Sequence, residues 1–300
     1  MTRRNTPRIS FIGFGEAGQA IASGLRDTGI ERIAAWDILF PEAAGARLKS
    51  AGEAIGVRVA SSAADAVRDS DMIISAVTAA SSLEAARSVA PHLAGNPYYL
   101  DINSVSPGRK QETATLFGDR ARYVDVAVVA PIHPARHRTP LLISGPHAEE
   151  ISPLLGELEM QLTVIGPEVG SAAAIKMIRS VMIKGIEALT VECFLAAARA
   201  GVLEEVTASL KNNYPTLNWV EIADYNLERM ASHGERRAAE MEESAATLRE
   251  LGLDPLMVDS TVKRQREMGA MGKQEAVRQT LKSGRAAMLS AISALAKRRH

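Results

Sequence analysis

One cysteine, Cys193, stands among 300 residues, so no disulfide framework exists. It lies in an apolar helical run with no histidine near it in sequence, which predicts a small buried hydrophobe rather than a nucleophile. A reducing, cytoplasmic setting fits. No charge of one sign dominates: 35 Lys and Arg face 35 Asp and Glu, whereas bulk binding to nucleic acid or an anionic membrane needs a basic surplus. The basic end Lys297-Arg298-Arg299-His300 reads as a solvated helix terminus. No uncharged apolar run approaches the roughly 18 residues of a membrane span, and Thr2-Arg3-Arg4-Asn5 lacks the apolar core of a signal peptide. Repeats and low-complexity linkers are absent, and no metal is expected. Aromatic residues make up 4% of the chain, which suits helices packed through Ala and Leu.

What is present begins at Arg8. Five residues that read as a buried strand, Arg8-Ile-Ser-Phe-Ile12, run into Gly13-Phe14-Gly15-Glu16-Ala17-Gly18 and then a helical pattern with Ala17, Ile21 and Leu25 on one face. This order is what a dinucleotide site requires. Gly13 allows the tight turn, Gly15 lets backbone approach a pyrophosphate, and Gly18 lets helix pack on strand. The helix N-terminus presents free N–H groups and a positive dipole end to the phosphates. A second strand, Arg32-Ile-Ala-Ala-Trp36, ends in Asp37, where a carboxylate accepts hydrogen bonds from the adenosine ribose. That carboxylate repels a 2′-phosphate, and Ile38, Leu39 and Phe40 follow it without a cation, so NAD is favoured. Arg47 and Lys49 keep NADP open.

Further strands are expected at Val57–Ala60, Met72–Val77, Tyr98–Ile102, Tyr123–Val129, Leu141–Ile143 and Leu162–Ile165, with helices starting near Glu42, Ser62, Ser81, Pro107 and Ala148. Alternation of strand and helix predicts a parallel, doubly wound Rossmann sheet. Gly166-Pro167 is the clearest break. Beyond it the period becomes helical: one long interdomain helix over Val169–Ala200, then runs near Leu203–Asn212, Leu217–Ser232, Glu235–Leu251, Pro255–Met268 and Lys273–Lys297. The expected division is a dinucleotide-binding α/β domain over 1–168 and an all-helical domain over 169–300, which includes the long helix.

That helix carries an anomaly. Lys176, Arg179, Ser180, Lys184 and Glu187 recur at spacings of three and four in a mostly apolar stretch, so they share a face. The plainer reading is a solvated stripe. Against it stand the almost continuously hydrophobic flanks, which predict that most of the circumference is buried and that a cation there has a partner or a purpose. Neighbouring Arg179 and Lys184 would disfavour the ammonium form of Lys176, and a lysine so tuned takes a proton from a hydroxyl as hydride leaves the same carbon.

With these residues in view the chain resembles, over nearly its whole length, the β-hydroxyacid dehydrogenase superfamily that includes 3-hydroxyisobutyrate and 6-phosphogluconate dehydrogenases. The helix motif G-x-x-x-x-x-K is matched by Gly170-Ser-Ala-Ala-Ala-Ile-Lys176, and a D-x-S-T-x-x-P-like segment by Asp101-Ile-Asn103-Ser104-Val-Ser106-Pro107. The resemblance implies Lys176 as acid/base, Asn103 and Ser104 between nicotinamide and substrate, and Val77 and Thr78 lining the cofactor. It also implies a homodimer.

Departures from the pattern bear on the substrate. The two asparagines that usually follow the lysine are Arg179 and Ser180 here, and the D-x-P-V-S-G-G stretch reads Asp125-Val-Ala-Val-Val129-Ala130-Pro131. The usual carboxylate clamp is therefore missing. Basic residues gather instead at His133, Arg136 and Arg138, and at His233, Arg236 and Arg237. Each group reads equally as solvated charge or as an anchor for a small anionic substrate, a role arginine suits through its bidentate geometry. These differences resemble a branch with a divergent C-terminal helical domain. The leading expectation is an NAD(P)-dependent enzyme moving hydride between nicotinamide and a small hydroxy acid or sugar acid. The alternatives are a decarboxylating relative like 6-phosphogluconate dehydrogenase and a non-catalytic dinucleotide sensor. Imine reductases share the architecture but usually lack the lysine.

Overall fold

The computed structural model describes residues 6–281 and 283–296. The expectations for Thr2–Asn5 and Lys297–His300 lie outside the described residues. The chain divides into two compact units, Met1–Met177 and Ile178–His300.

In the first unit eight strands form one sheet: β1 (Ile9–Ile12), β2 (Ile33–Trp36), β3 (Arg58–Val59), β4 (Met72–Ser75), β5 (Tyr98–Asp101), β6 (Arg122–Val128), β7 (Leu141–Ser144) and β8 (Leu162–Gly166). Their order is β3-β2-β1-β4-β5-β6-β7-β8. The first six strands are parallel in the doubly wound order 3-2-1-4-5-6. The expectation of a wholly parallel sheet fails at one place: β7 runs antiparallel to β6, with Val128 opposite Leu141. The segment between them carries a 3₁₀ turn and no α-helix, and a parallel return needs a helical crossover.

Helices α1 (Glu16–Asp27), α2 (Ala46–Ala54), α3 (Ala63–Val67), α4 (Ser82–Val89), α5 (Pro107–Phe117) and α6 (Ala148–Glu157) fill the connections. Period-two alternation sends Met72 and Ile74 to one face of the sheet, with Ile21 and Leu25 of α1 and Ile151 of α6. Ile73 goes to the other, with Ala66 of α3, Val89 of α4 and Phe117 of α5.

The remaining helices are α7 (Ser171–Ala200), α8 (Leu203–Asn213), α9 (Trp219–Glu250), α10 (Leu256–Gly272), α11 (Glu275–Arg278) and α12 (Arg285–Ala296). Two expected helices, Leu217–Ser232 and Glu235–Leu251, are one helix, α9. Gly234 is an approach point rather than a break: a Cβ there would lie 2.2 Å from the Gln265 carbonyl oxygen and 2.6 Å from the Gly269 nitrogen of α10. The expected helix over Lys273–Lys297 is instead divided into α11 and α12, with Gly284 at φ +85° just before α12.

On α7 two charges of the stripe are buried and paired, as expected, but its hydrophobic flanks are in part exposed. Lys184 and Glu187 are buried, while Ile178, Met182, Ile186 and Leu189 are exposed within the single chain. Cys193, expected to be buried, is exposed as well. The reason is polar pairing. Lys184 Nζ donates to Glu240 Oε2 at 2.7 Å, the Arg237 guanidinium pairs with the Glu187 carboxylate, and Gln265 Nε2 donates to Glu187 Oε2 at 3.0 Å. Burial pushes the Lys184 ammonium pKa down, and Glu240 opposes that shift.

A buried pair that loses one partner leaves a costly unpaired charge. Arg237→Ala is expected to destabilise the helical unit by about 3 kcal/mol or more, whereas Arg236→Ala, at an exposed pair, costs about 0–1 kcal/mol. Urea unfolding of both variants checks this; equal midpoints would refute the assigned role of the Arg237 pair.

Candidate dinucleotide and lysine site

The glycine-rich turn joins β1 to α1, and its three glycines differ in what they do. Gly13 has φ +89°, and a Cβ there would lie 2.4 Å from the Ala76 carbonyl oxygen. At Gly18 a Cβ would meet the Gly13 carbonyl oxygen at 2.7 Å. Nothing lies within 4 Å of the Cβ position of Gly15. Two of the glycines therefore serve protein packing, and the third leaves open space over the backbone. No side chain caps the N-terminus of α1, whereas Ser62 caps α3 and Ser106 caps α5. An open Gly15 and an uncapped helix start fit a pyrophosphate.

Asp37 closes the other side of the turn. Its Oδ2 accepts the Phe14 N–H at 2.7 Å and its Oδ1 accepts the Leu39 N–H at 2.9 Å. The Phe14 ring is core, edge-on to Phe11 and Phe40, so only main chain of this residue faces the turn. Glu16 is exposed, Ala17 is half-buried, and Ile38 projects into solvent beside Asp37.

Contacts continue to the lysine. Asn103 is buried; its Oδ1 accepts the Val77 N–H at 2.7 Å and its Nδ2 donates to Ser75 Oγ at 2.9 Å. Its amide thus holds the turn after β4 against β5. Thr78, next along that turn, is exposed, with its hydroxyl 3.1 Å from Ser81 Oγ. Ser104, adjacent to Asn103, accepts a hydrogen bond from Lys176 Nζ at 2.6 Å. Gly13, Gly15, Gly18, Asp37, Val77, Asn103, Ser104 and Lys176 therefore form one connected series within the first unit.

Local structure explains how Lys176 arrives there. Gly170 takes φ +101°, which turns the chain into α7. Asp125 Oδ2, at the β6 position level with the end of β5, accepts the N–H groups of Gly170 at 3.1 Å and Ala173 at 3.0 Å. Ser144 Oγ accepts the Ala172 N–H at 3.0 Å and donates to Asp125 at the same distance. The first turn of α7 is thus fastened to two strands, and Lys176 follows one turn later.

The surroundings of the other expected residues differ. His133 is exposed. Arg136 pairs with Asp27 at 2.6 Å and donates to Ser23 Oγ at 3.2 Å, so it packs on the second half of α1, away from its glycine-rich start. Arg179 is exposed and Ser180 half-buried, both in the second unit. Arg236 is exposed and pairs with Glu240 at 2.6 Å, while Arg237 is held by Glu187. Among the described residues no group of three His, Cys, Asp or Glu side chains is placed to hold a metal. No helix among them is long and apolar enough to cross a membrane. Lys110 and Ser144 carry no motif, and sequence reasoning passed over them. The signal available was charge balance: Asp101, at the end of β5, and Asp125, level with it in β6, lie in adjacent buried strands and need a cation.

Comparison with known proteins bears on the family and the fold. The family described as NADP oxidoreductase, coenzyme F420-dependent, matches residues 8–103, and Domain of unknown function (DUF1932) matches residues 197–268. A conserved hypothetical protein from Sinorhizobium meliloti 1021 is 35% identical, with 96% of each chain covered and a TM-score of 0.78. A conserved protein described as structurally similar to 3-hydroxyacid dehydrogenases is 31% identical over 88% of this chain and 97% of its own, with a TM-score of 0.70. The 3-hydroxyisobutyrate dehydrogenase of Mycobacterium tuberculosis shares the fold at 16% identity and a TM-score of 0.69, over 97% of this chain and 99% of its own. The chain belongs to the β-hydroxyacid dehydrogenase-like superfamily, with a C-terminal helical domain.

Proposed function

We propose that this protein is an NAD(P)-dependent dehydrogenase or reductase acting on a small hydroxy acid or sugar acid, or on the matching carbonyl compound. The observation that carries the reading is the 2.6 Å contact between Lys176 Nζ and Ser104 Oγ, within the unit that holds the glycine-rich turn. A bound nicotinamide supplies or accepts the hydride. Lys176 moves the hydroxyl proton, and Ser104 orients the substrate oxygen and holds the amine in place. Asp37 favours NAD over NADP. A sensor needs no such amine–hydroxyl pair, which supports the enzymatic reading over a silent one. Arg179, one helical turn beyond Lys176, is the first choice of anchor for a substrate carboxylate or phosphate.

The test is a panel of hydroxy acids and sugar acids with NAD and with NADP, followed by absorbance of the reduced nicotinamide. Turnover of at least one acid, faster with NAD, is expected. Inertness toward the whole panel, together with no dinucleotide binding, overturns the reading.

We further propose a homodimer that covers the exposed apolar residues of α7. Ile178, Met182, Ile186 and Leu189 recur at spacings of three and four, which makes one apolar stripe on a helix of 30 residues. Met182→Glu is expected to shift the protein to monomer in light scattering coupled to size exclusion. A wild-type monomer, or a variant that stays dimeric, refutes the assignment.

A further inference from the structure

Beneath the lysine site lies a buried polar network that the proposed chemistry does not use. Lys110, on α5, is fully buried. Its Nζ donates to the Asp101 carbonyl oxygen at 2.5 Å and lies 3.1 Å from Asp101 Oδ1 and 3.4 Å from Asp125 Oδ1. Both carboxylates are buried. Asp101 Oδ1 also accepts the Asn103 N–H at 3.0 Å, and its Oδ2 accepts the Tyr123 hydroxyl at 2.8 Å. Burial raises the Tyr123 pKa well above its ordinary value, so the phenol stays protonated and donates.

The two carboxylates hold the two sides of the Lys176 and Ser104 contact. Asp101 fastens the turn that carries Asn103 and Ser104. Asp125 fastens the first turn of α7, which carries Lys176, through the N–H groups of Gly170 and Ala173. Asp125 Oδ1 makes no hydrogen bond, so the Lys110 charge at 3.4 Å is what compensates it. A buried carboxylate without a cation is strongly unfavourable. Lys110 therefore ties both anchors together at once.

We propose that Lys110 is a positioning residue: through Asp101 and Asp125 it sets the register between the Ser104 turn and the start of α7, and so the placement of the Lys176 amine. The inference rests on the acid/base reading of Lys176 for its consequence, while the geometry it invokes is independent of any substrate. A packing role alone would make Lys110 interchangeable with a hydrophobe of equal volume and would leave Lys176 untouched.

The experiment is trace acetylation of the full-length protein, with Lys176 quantified by mass spectrometry against exposed Lys211 across about pH 7 to about pH 11. Lys110→Met, Asp125→Asn and Ser144→Ala are compared with Ile151→Val, a truncation in the sheet core whose side chain takes no part in these hydrogen bonds. Each of the first three should displace the Lys176 labelling profile by about threefold or more in rate, the scale expected within one hydrogen-bonded network. Ile151→Val should leave the profile in place even when its melting temperature falls as far. If Lys110→Met does not fold, Asp125→Asn and Ser144→Ala decide. An unmoved profile in folded Lys110→Met, an unmoved profile in both of the others, or an equal displacement in Ile151→Val overturns the proposal. A wild-type chain inert toward every acid would sink the dehydrogenase reading, yet the labelling would still decide whether Lys110 positions Lys176.

Discussion

Replacing Lys176 with methionine is expected to lower kcat at least about 100-fold while dinucleotide affinity stays near wild type, because a positioned acid/base group contributes about 10²–10⁴-fold. Methionine keeps the length and apolar stem of the side chain and removes the amine that donates to Ser104 Oγ at 2.6 Å. The glycine-rich turn and Asp37 are held by contacts that do not involve Lys176, so binding and chemistry separate in this variant. A loss made in the transition state lowers kcat and kcat/KM together. Ser104→Ala should fall the same way by a smaller factor, since the amine stays and only its partner goes. The comparison measures kcat and KM with the best acid from the panel, beside a fluorescence titration with the reduced cofactor. Turnover within about tenfold of wild type in Lys176→Met would end its assignment as acid/base.

The two neighbouring glycines of the turn should respond in opposite ways to one added methyl group. Gly15 has φ −72°, which alanine adopts freely, and its Cβ position is open, so Gly15→Ala should melt at or slightly above the wild-type temperature. Its dinucleotide affinity should nevertheless fall at least tenfold, a loss of about 1.4 kcal/mol, because the methyl group enters the space the pyrophosphate needs. Gly18→Ala drives a Cβ to 2.7 Å from the Gly13 carbonyl oxygen, backbone that has nowhere to move. That overpacking costs about 1–3 kcal/mol and should appear first as a lower melting temperature. Paired melting curves and cofactor titrations check both. Unchanged affinity in Gly15→Ala would falsify the pyrophosphate site at this turn.

Much of the first unit was legible because its signals are local. Each of the eight strands overlaps an expected segment, since buried parallel strands are short apolar runs bounded by turn residues. The direction of β7 was not legible, because hydrophobic periodicity is the same for a strand read either way. The continuity of α9 across Gly234 was not legible for a related reason. A glycine that ends a helix and one that admits a neighbouring helix look alike in sequence, and they differ only in what stands across from them.

By itself the sequence determined the glycine-rich turn, the acidic residue at the end of β2 and the lysine six positions after Gly170, because each is a residue type at a fixed spacing along one element. Tertiary structure alone decided which partners those residues have. Lys110 reaches Asp125 only because α5 packs beside β5 and β6, and Lys184 is buried only because Glu240 of α9 meets it. The energy of a charge depends on what lies within a few ångströms in space, and chain separation carries little of that information. For that reason the motif residues were named from spacing, whereas the network that aligns Lys176 with Ser104 emerged only once strands, turns and helix were folded together.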